Sequence, residues 1–434
     1  LSKLVSTGMN VLLLGSGGRE SALAWKIARS PLIDHLYCMP GNPGTAAIAT
    51  NVDCTLSDFE SIALHTSNLS IDMVVVGPEN PLVEGITDFL HEKIPSLMVI
   101  GPGRDGARLE GSKDFAKAFM AEYSIPTAAY KTFEASQLEQ AYAFLEQFKP
   151  PYVLKADGLA AGKGVIITHS IEEARQELTS MFGGKFGNAG AKVVIEEYLS
   201  GIELSVFVLT DGKDYLMLPH AKDYKRIGEG DTGPNTGGMG SVSPVPFADD
   251  LFMSKVEERI VKPTIRGIAA EGMNYCGFIF IGLMNCGGDP YVIEYNVRMG
   301  DPECESVVRR IDSDLLEHLN AAAKGTLSSE KIKVSPKSAV TVMAVSGGYP
   351  GSYGKGFPIS GLDADFGEDD IVVFHAGTAV SGSGMVTSGG RVLAVTSLAD
   401  SLDEALKASY RHLSAISFEG ITYRRDIGKD LLDF

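Results

Sequence analysis

Brief, continuous apolar runs set the rhythm of residues 9–110: VLLLG, LYCMPGN, DMVVVGPE and LMVIGP. A run that does not alternate with polar residues reads as a strand covered on both faces. Residues 20–30 read as a helix after the first run. The pattern predicts an α/β domain built on a doubly wound parallel sheet. Three of the strands end in the glycine turns GSGG, PGNPG and GPE. Ligands of open α/β sheets gather at such carboxyl ends.

Beyond residue 110 the rhythm changes toward α+β. A helix is expected from about Ser112, with Lys113 and Lys117 one turn apart, and it must stop before Pro126. YVLKA and GVIITH read as a hairpin joined by DGLAAGKG, followed by a helix near 171–182. KVVIEEYL, ELSVFVLT, GFIFIGLM and PYVIEYNV read as further strands. From about residue 335 come strands at SAVTVMAV, IVVFHAG and RVLAVTS, closed by a helix at 402–415.

Composition narrows the function. The net charge of −17, from 55 acidic and 38 basic residues, argues against general binding to nucleic acid or an anionic membrane. No apolar run reaches the ~18 residues of a membrane helix. Five dispersed cysteines (38, 54, 276, 286, 304) read as reduced thiols of a cytoplasmic protein. Residues 1–8, before Met9, read as a leader or an expression scar.

The opening GSGGRE places Gly15 and Gly17 as a dinucleotide fingerprint would, but Glu20 stands where the third glycine belongs. Met39-Pro40-Gly41 occupies the place where such a site wants an acidic residue. We therefore read the turn as a cradle for a single phosphate at a helix start. In KADGLAAGKGV, small residues would let backbone amides approach phosphate oxygens, with Lys155 and Lys163 adding charge. A solvated hairpin tip is the plain alternative. In VVIEEYLSGIELSV, an adenine edge at the strand exit and a ribose at Glu203 compete with an acidic strand end facing water. In VIEYNVRMGDPE, Glu294 and Asn296 share one face of a strand, and a carboxylate with an amide oxygen suits Mg²⁺. Arg298 is a planar donor able to grip a carboxylate. The long glycine-rich stretch from Asp223 to Pro244 carries Lys225 and Arg226 and reads as a loop that closes over substrate.

These stretches, in this order behind an α/β domain, resemble the ATP-grasp superfamily. GSGGRE, PGNPGT, VGPENPLVEG, LEGSKDFAK, KADGLAAGKGV, IEEYLSGIELS, GDTGPNTGGMGSVSP, IEYNVRMGDPE, GGYPG and FHAGT resemble the phosphoribosylamine–glycine ligase family over nearly the whole chain. The resemblance implies an N-terminal substrate domain (9–110), an ATP-grasp region (111–330, its lid within 151–210) and a small β-rich C-terminal domain (331–434). It implies an ATP-dependent carbon–nitrogen ligase of purine biosynthesis, joining glycine to 5-phosphoribosylamine through glycyl phosphate. It implies Mg²⁺ or Mn²⁺ at Glu294 and Asn296, and ATP contacts from Lys113, Lys155, Gly162, Lys163, Gly164, Glu196, Tyr198, Leu199 and Glu203. Substrate would meet Gly15, Gly17, Gly18, Arg19, Glu20, Gly41, Asn42, Gly77, Pro78, Glu79, Lys225, Arg226, Arg298, Gly300, Asp301 and Pro302. Lys155, Lys163 and Arg298 would carry the catalysis, in a cytoplasmic monomer. Three positions depart from the family's pattern: Ser21 and Tyr224 replace histidines, and Cys304-Glu305 replaces Thr-Gln. The other readings are a different ATP-grasp carboxylate–amine ligase and a non-catalytic ATP-binding protein.

Overall fold

The computed structural model describes residues 8–160, 164–365, 367, 370–382 and 384–434. β1 (Met9–Gly15), β2 (Ile33–Pro40), β3 (Thr50–Asn51), β4 (Met73–Val76) and β5 (Met98–Ile100) form a parallel sheet in the order β3-β2-β1-β4-β5. The chain runs outward from β1 to β3, then crosses back to β4. The reversal opens a crevice at the carboxyl ends of β1 and β4. Val11 to Leu14 are wholly buried, because β1 has neighbours on both edges and helices on both faces. That explains the unbroken apolar runs. The helix after β1 spans Gly18–Ile27, starting and ending earlier than its apolar pattern suggests.

β6 (Tyr130–Glu134), β7 (Tyr152–Ala156), β8 (Val165–Thr168) and β9 (Lys192–Glu196) build an antiparallel sheet in the order β6-β9-β7-β8. Its core, with Phe133, Leu154, Leu178 and Ile195, is separate from the main one. β7 and β8 are the expected hairpin. The span expected to contain the lid, 151–210, divides between two sheets. The small sheet begins at Tyr130 and ends at Glu196, while β10 joins the next body.

That next body comprises β10 (Ile202–Thr210), β11 (Tyr215–Met217), β12 (Lys222–Asp223), β13 (Arg226–Gly228), β14 (Thr232–Asn235), β15 (Gly240–Ser243), β16 (Gly277–Cys286) and β17 (Asp289–Asn296). β10, β11, β16 and β17 make one antiparallel sheet in the order β11-β10-β16-β17. The C-terminal strands are β18 (Ser338–Val345), β19 (Asp370–His375), β20 (Thr378–Ser381), β21 (Gly384–Thr387) and β22 (Arg391–Ala399). β18, β19 and β22 do not form a sheet of their own. They continue β12 and β15 in the order β12-β15-β18-β22-β19, so one sheet spans residues expected in two domains. The glycine-rich stretch 223–244 is thereby docked by β15 and by a short β13–β14 hairpin. The closing helix Leu402–Ala415 begins at a Ser401/Glu404 capping box.

Leu13→Ala, at the centre of β1, is expected to destabilise the N-terminal sheet by about 2–5 kcal/mol. The check is the midpoint of urea unfolding followed in that domain; an unchanged midpoint would contradict burial of β1 from both faces.

Candidate active site

The turns at the carboxyl ends of β1 and β4 close around Glu20. Its Oε2 accepts from the Gly17 amide (2.7 Å) and its Oε1 from Arg19 Nε (2.6 Å). A Cβ at Gly15 would lie 2.4 Å from Glu20 Cγ, and one at Gly77 would lie 2.2 Å from Glu20 Oε1. Glycine is needed there to seat this side chain. Asn42 is also buried: its Oδ1 caps the short helix Pro43–Ala46, and its Nδ2 donates to Ser16 O, Ser21 Oγ and His375 O. Glu20 and Asn42 therefore organise the turns. The phosphate reading of GSGGRE needs correction in one respect. Two amide donors of the turn are already engaged, Gly17 by Glu20 and Arg19 by Asp301 Oδ2 (3.3 Å). Gly41 and the Gly77-Pro78 turn lie at the ends of β2 and β4, and Pro78 leads into the helix Glu79–Glu84.

On β17, Tyr295 points into packing and bonds Thr264, as alternation requires. Glu294 faces the cleft, where Lys225, Lys155, Lys113 and Arg298 surround it. Burial alone would raise its pKa, but these four charges hold the carboxyl below the usual range, so it stays ionised. The same grouping acts on its partners. Burial pulls Lys113 down against the attraction of Glu294, whereas Glu203, Asp223 and Glu294 drive Lys225 well up despite burial. Lys155 Nζ sits 2.9 Å from Glu196 Oε2 and 3.3 Å from the Ile293 carbonyl. Glu196 also pairs with Lys117 (3.3 Å), which burial pushes down to about 8. Glu203 Oε2 accepts from Lys225 Nζ at 2.7 Å.

Asn296 Oδ1 accepts from Arg298 Nη2 (3.1 Å), and its buried Nδ2 has no partner. An amide oxygen has a second lone pair to offer. With Glu294 beside it, the donor set is one ionised carboxylate and one amide oxygen, which fits a hard divalent cation that keeps waters and phosphate oxygens. No group of three or more His, Cys, Asp or Glu side chains suited to a metal occurs among the described residues.

Arg298 is gripped from two sides. Glu110 Oε1 lies 2.8 Å from Nη2, and Glu79 Oε2 lies 3.3 Å from Nε. Glu110 Oε2 also accepts the Val297 amide at 2.8 Å. The turn Gly300-Asp301-Pro302 follows. A Cβ at Gly300 would meet Glu303 Oε2 at 2.4 Å, so this glycine makes room for a carboxyl that burial and Asp223 push up to about 8. Asp301 pairs with Arg391 of β22 (3.0 Å), whose Nη1 also donates to the Gly237 and Asp301 carbonyls. Gly238 packs directly on Pro302.

Among the residues singled out from the sequence, Lys113, Lys155, Glu203, Lys225, Glu294, Asn296 and Arg298 gather in this cleft. Arg226 turns away and donates to Gly233 O within its own hairpin. Tyr198 and Leu199 lie on the β9–β10 connection, Tyr198 largely exposed. Gly164 O accepts the Ala156 amide at the hairpin base, while Gly162 and Lys163 lie outside the described residues. Sequence reading missed Glu110, within LEGSKDFAK, and Arg391, since neither stands in a recognisable spacing with its partner. Of the departures from the family's pattern, Ser21 Oγ donates to His375 O. Tyr224 is buried, and its hydroxyl donates to Asp430 (2.6 Å); burial with that carboxylate drives its pKa far up, so it remains a phenol.

Family models match three stretches of the chain: the Phosphoribosylglycinamide synthetase N domain at 9–110, its ATP-grasp (A) domain at 111–304 and its C domain at 339–430. The chain belongs to the phosphoribosylamine–glycine ligase family. The phosphoribosylamine–glycine ligase of Mesorhizobium japonicum is 48% identical over 420 residues, covering 97% of this chain and 98% of that protein. A crystal structure of the Thermotoga maritima phosphoribosylamine–glycine ligase superposes with a TM-score of 0.84 at 37% identity, covering 96% and 99% of the two chains. The biotin carboxylase domain of Hydrogenobacter thermophilus 2-oxoglutarate carboxylase, solved with MgADP and bicarbonate, shares the fold at a TM-score of 0.72 and 17% identity, over 95% of this chain and 91% of that one. As a member of this family, the chain is a carbon–nitrogen ligase of purine biosynthesis with an ATP-grasp domain that binds ATP. No helix among the described residues is long and apolar enough to cross a membrane.

Removing one member of a buried ion pair strands the other charge. Glu110→Ala is expected to destabilise the fold by about 3–5 kcal/mol and Glu110→Gln by less. Chemical denaturation of both variants measures the difference; equal, small losses would show that Glu110 is dispensable to Arg298.

Proposed function

We propose that the cleft around Glu294 activates glycine by phosphorylation and then passes the acyl group to 5-phosphoribosylamine. The observation that carries this reading is the convergence of Lys113, Lys155, Lys225 and Arg298 on one buried, ionised carboxylate. That charge pattern suits a polyphosphate joined to protein through a cation. In this reading Glu294 and Asn296 hold Mg²⁺ or Mn²⁺, which when bound neutralises phosphate charge. Lys113 and Lys155 contact the phosphates from below the hairpin. Gly162, Lys163 and Gly164 of the glycine-rich stretch also bind the phosphates in this reading. Glu196, Tyr198 and Leu199 border the adenine at the end of β9, and Glu203 offers the ribose the oxygen that Lys225 leaves free.

Arg298, oriented by Glu79 and Glu110, receives the glycine carboxylate beside the 300–302 turn. One carboxylate oxygen attacks the γ-phosphorus of ATP, the bond to the bridging oxygen breaks and ADP leaves. The phosphoribosylamine nitrogen then attacks the acyl carbon, the C–O bond to phosphate breaks and the amine loses a proton. Phosphoribosylamine lies at the carboxyl ends of β1, β2 and β4, near Arg19 and Glu79. The protein positions reactants and balances charge, and no protein nucleophile is needed. Five free cysteines accord with a reducing, cytoplasmic setting.

Two results are expected. Glu294→Gln lowers kcat by about 100-fold or more with the fold intact by circular dichroism; near-normal turnover at low Mg²⁺ would remove Glu294 from the metal site. Glycine labelled with ¹⁸O in its carboxylate transfers one label to the released phosphate; unlabelled phosphate would end the acyl-phosphate route.

A further inference from the structure

Glu305 is wholly buried at the meeting point of three parts of the chain, and neither of its carboxyl oxygens has a hydrogen-bond partner. A Cβ on Gly18, at the start of the first helix, would lie 2.3 Å from Glu305 Oε1 and 3.7 Å from Asp301 Oδ1. The two carboxyls therefore share the small space that Gly18 leaves open. Asp301 Oδ1 stands 3.0 Å from Arg391 Nη2 as an ion pair, yet it receives no hydrogen bond. An acceptor without a donor faces a carboxyl without a partner.

The groups around Glu305 decide which carboxyl is ionised. Asp301 is served by Arg391 and by the Arg19 amide. Arg19 itself is held by Glu20 and Met299 O, and Arg391 is shared with Asp301 and the Gly237 carbonyl and lies near the Tyr349 ring hydroxyl. Cys304, next in the chain, keeps its thiol because burial opposes a thiolate. Arg391 is the cation whose field reaches Glu305, but its ion pair is with Asp301, and among the described residues no cation bonds Glu305. Two adjoining buried carboxylates cannot both ionise.

We propose that Glu305 is a positioning residue that keeps its proton at neutral pH and donates it to Asp301. The hydrogen bond ties the first helix, the 300–302 turn and Arg391 of β22 into one unit. Burial and the Asp301 charge both act in this direction, raising the Glu305 pKa well above normal, while Arg391 and Arg19 outweigh burial at Asp301 and hold it low. For the ligase, the bond sets where Arg19 and the turn stand beside phosphoribosylamine; that consequence rests on the substrate placement proposed above, whereas the proton itself does not.

The test compares the full-length wild type with Glu305→Gln and Glu305→Ala. An infrared difference spectrum, wild type minus Glu305→Gln at pH 7, is expected to show the C=O stretch of a protonated carboxyl; the Glu303 carboxyl is common to both and cancels. An ionised-carboxylate band instead would overturn the proposal. Stability supplies the second arm. The unfolded Glu305 loses its proton above about pH 4.3 while the folded one retains it, so the native state binds more protons and loses stability as pH rises. The melting temperature of wild type should therefore fall relative to Glu305→Gln between about pH 5 and pH 8; a constant gap would overturn the proposal. In the third arm, Glu305→Ala should raise KM for phosphoribosylamine by about tenfold with a smaller change in kcat, and Glu305→Gln should restore it. A KM raised equally in the two variants would refute the positioning role even with the proton in place; a KM for glycine raised in Glu305→Ala and restored in Glu305→Gln, with that for phosphoribosylamine unmoved, would overturn the substrate placement instead.

Discussion

Glu294 is a carboxylate held out of bulk water, and it remains charged because Lys113, Lys155, Lys225 and Arg298 face it from four separate stretches of chain. Burying an ion is tolerable only when its field is answered nearby. Each of the four cations carries the same requirement in reverse, so the partners extend outward: Lys155 to Glu196, Lys225 to Glu203, Arg298 to Glu79 and Glu110. A protein with a net charge of −17 thus keeps a cation-rich pocket for anionic substrates without a basic surface. The pocket is a local arrangement inside an acidic molecule.

This balance of charge depends on the sheets that deliver it. The parallel sheet supplies turns at its carboxyl edge, and glycine at positions 15 and 77 lets those turns close over the Glu20 side chain. β17 projects Glu294 and Asn296 from one face while Tyr295 anchors the other. Continuation of β12 and β15 into β18, β22 and β19 brings Arg391 onto the 300–302 turn. The C-terminal region is therefore part of the cleft's wall. The β6–β9 sheet, with its own core, meets the rest of the cleft at several points, among them Lys155 to Ile293 O (3.3 Å) and Lys117 to Glu196 (3.3 Å), and just before β6 the Thr127 hydroxyl donates to Val292 O (2.7 Å).

Much was legible along the chain, because local pattern carries it. Unbroken apolar runs announced the doubly covered strands β1, β4 and β5, and period-two alternation put Glu294 and Asn296 on one face. The order of the motifs sufficed to name the family. What residue order could not show is how side chains distant in sequence answer one another. Glu110 with Arg298 and Arg391 with Asp301 meet only when separate elements pack. Arg226 stood in the same stretch as Lys225, yet hairpin pairing turned it away. Glu20 and Asn42 were legible as polar residues of the turns, but tertiary packing decided that they hold the turns together. Periodicity reports which face a residue occupies, whereas the protonation state and partner of a buried charge depend on every group the fold brings within a few ångströms.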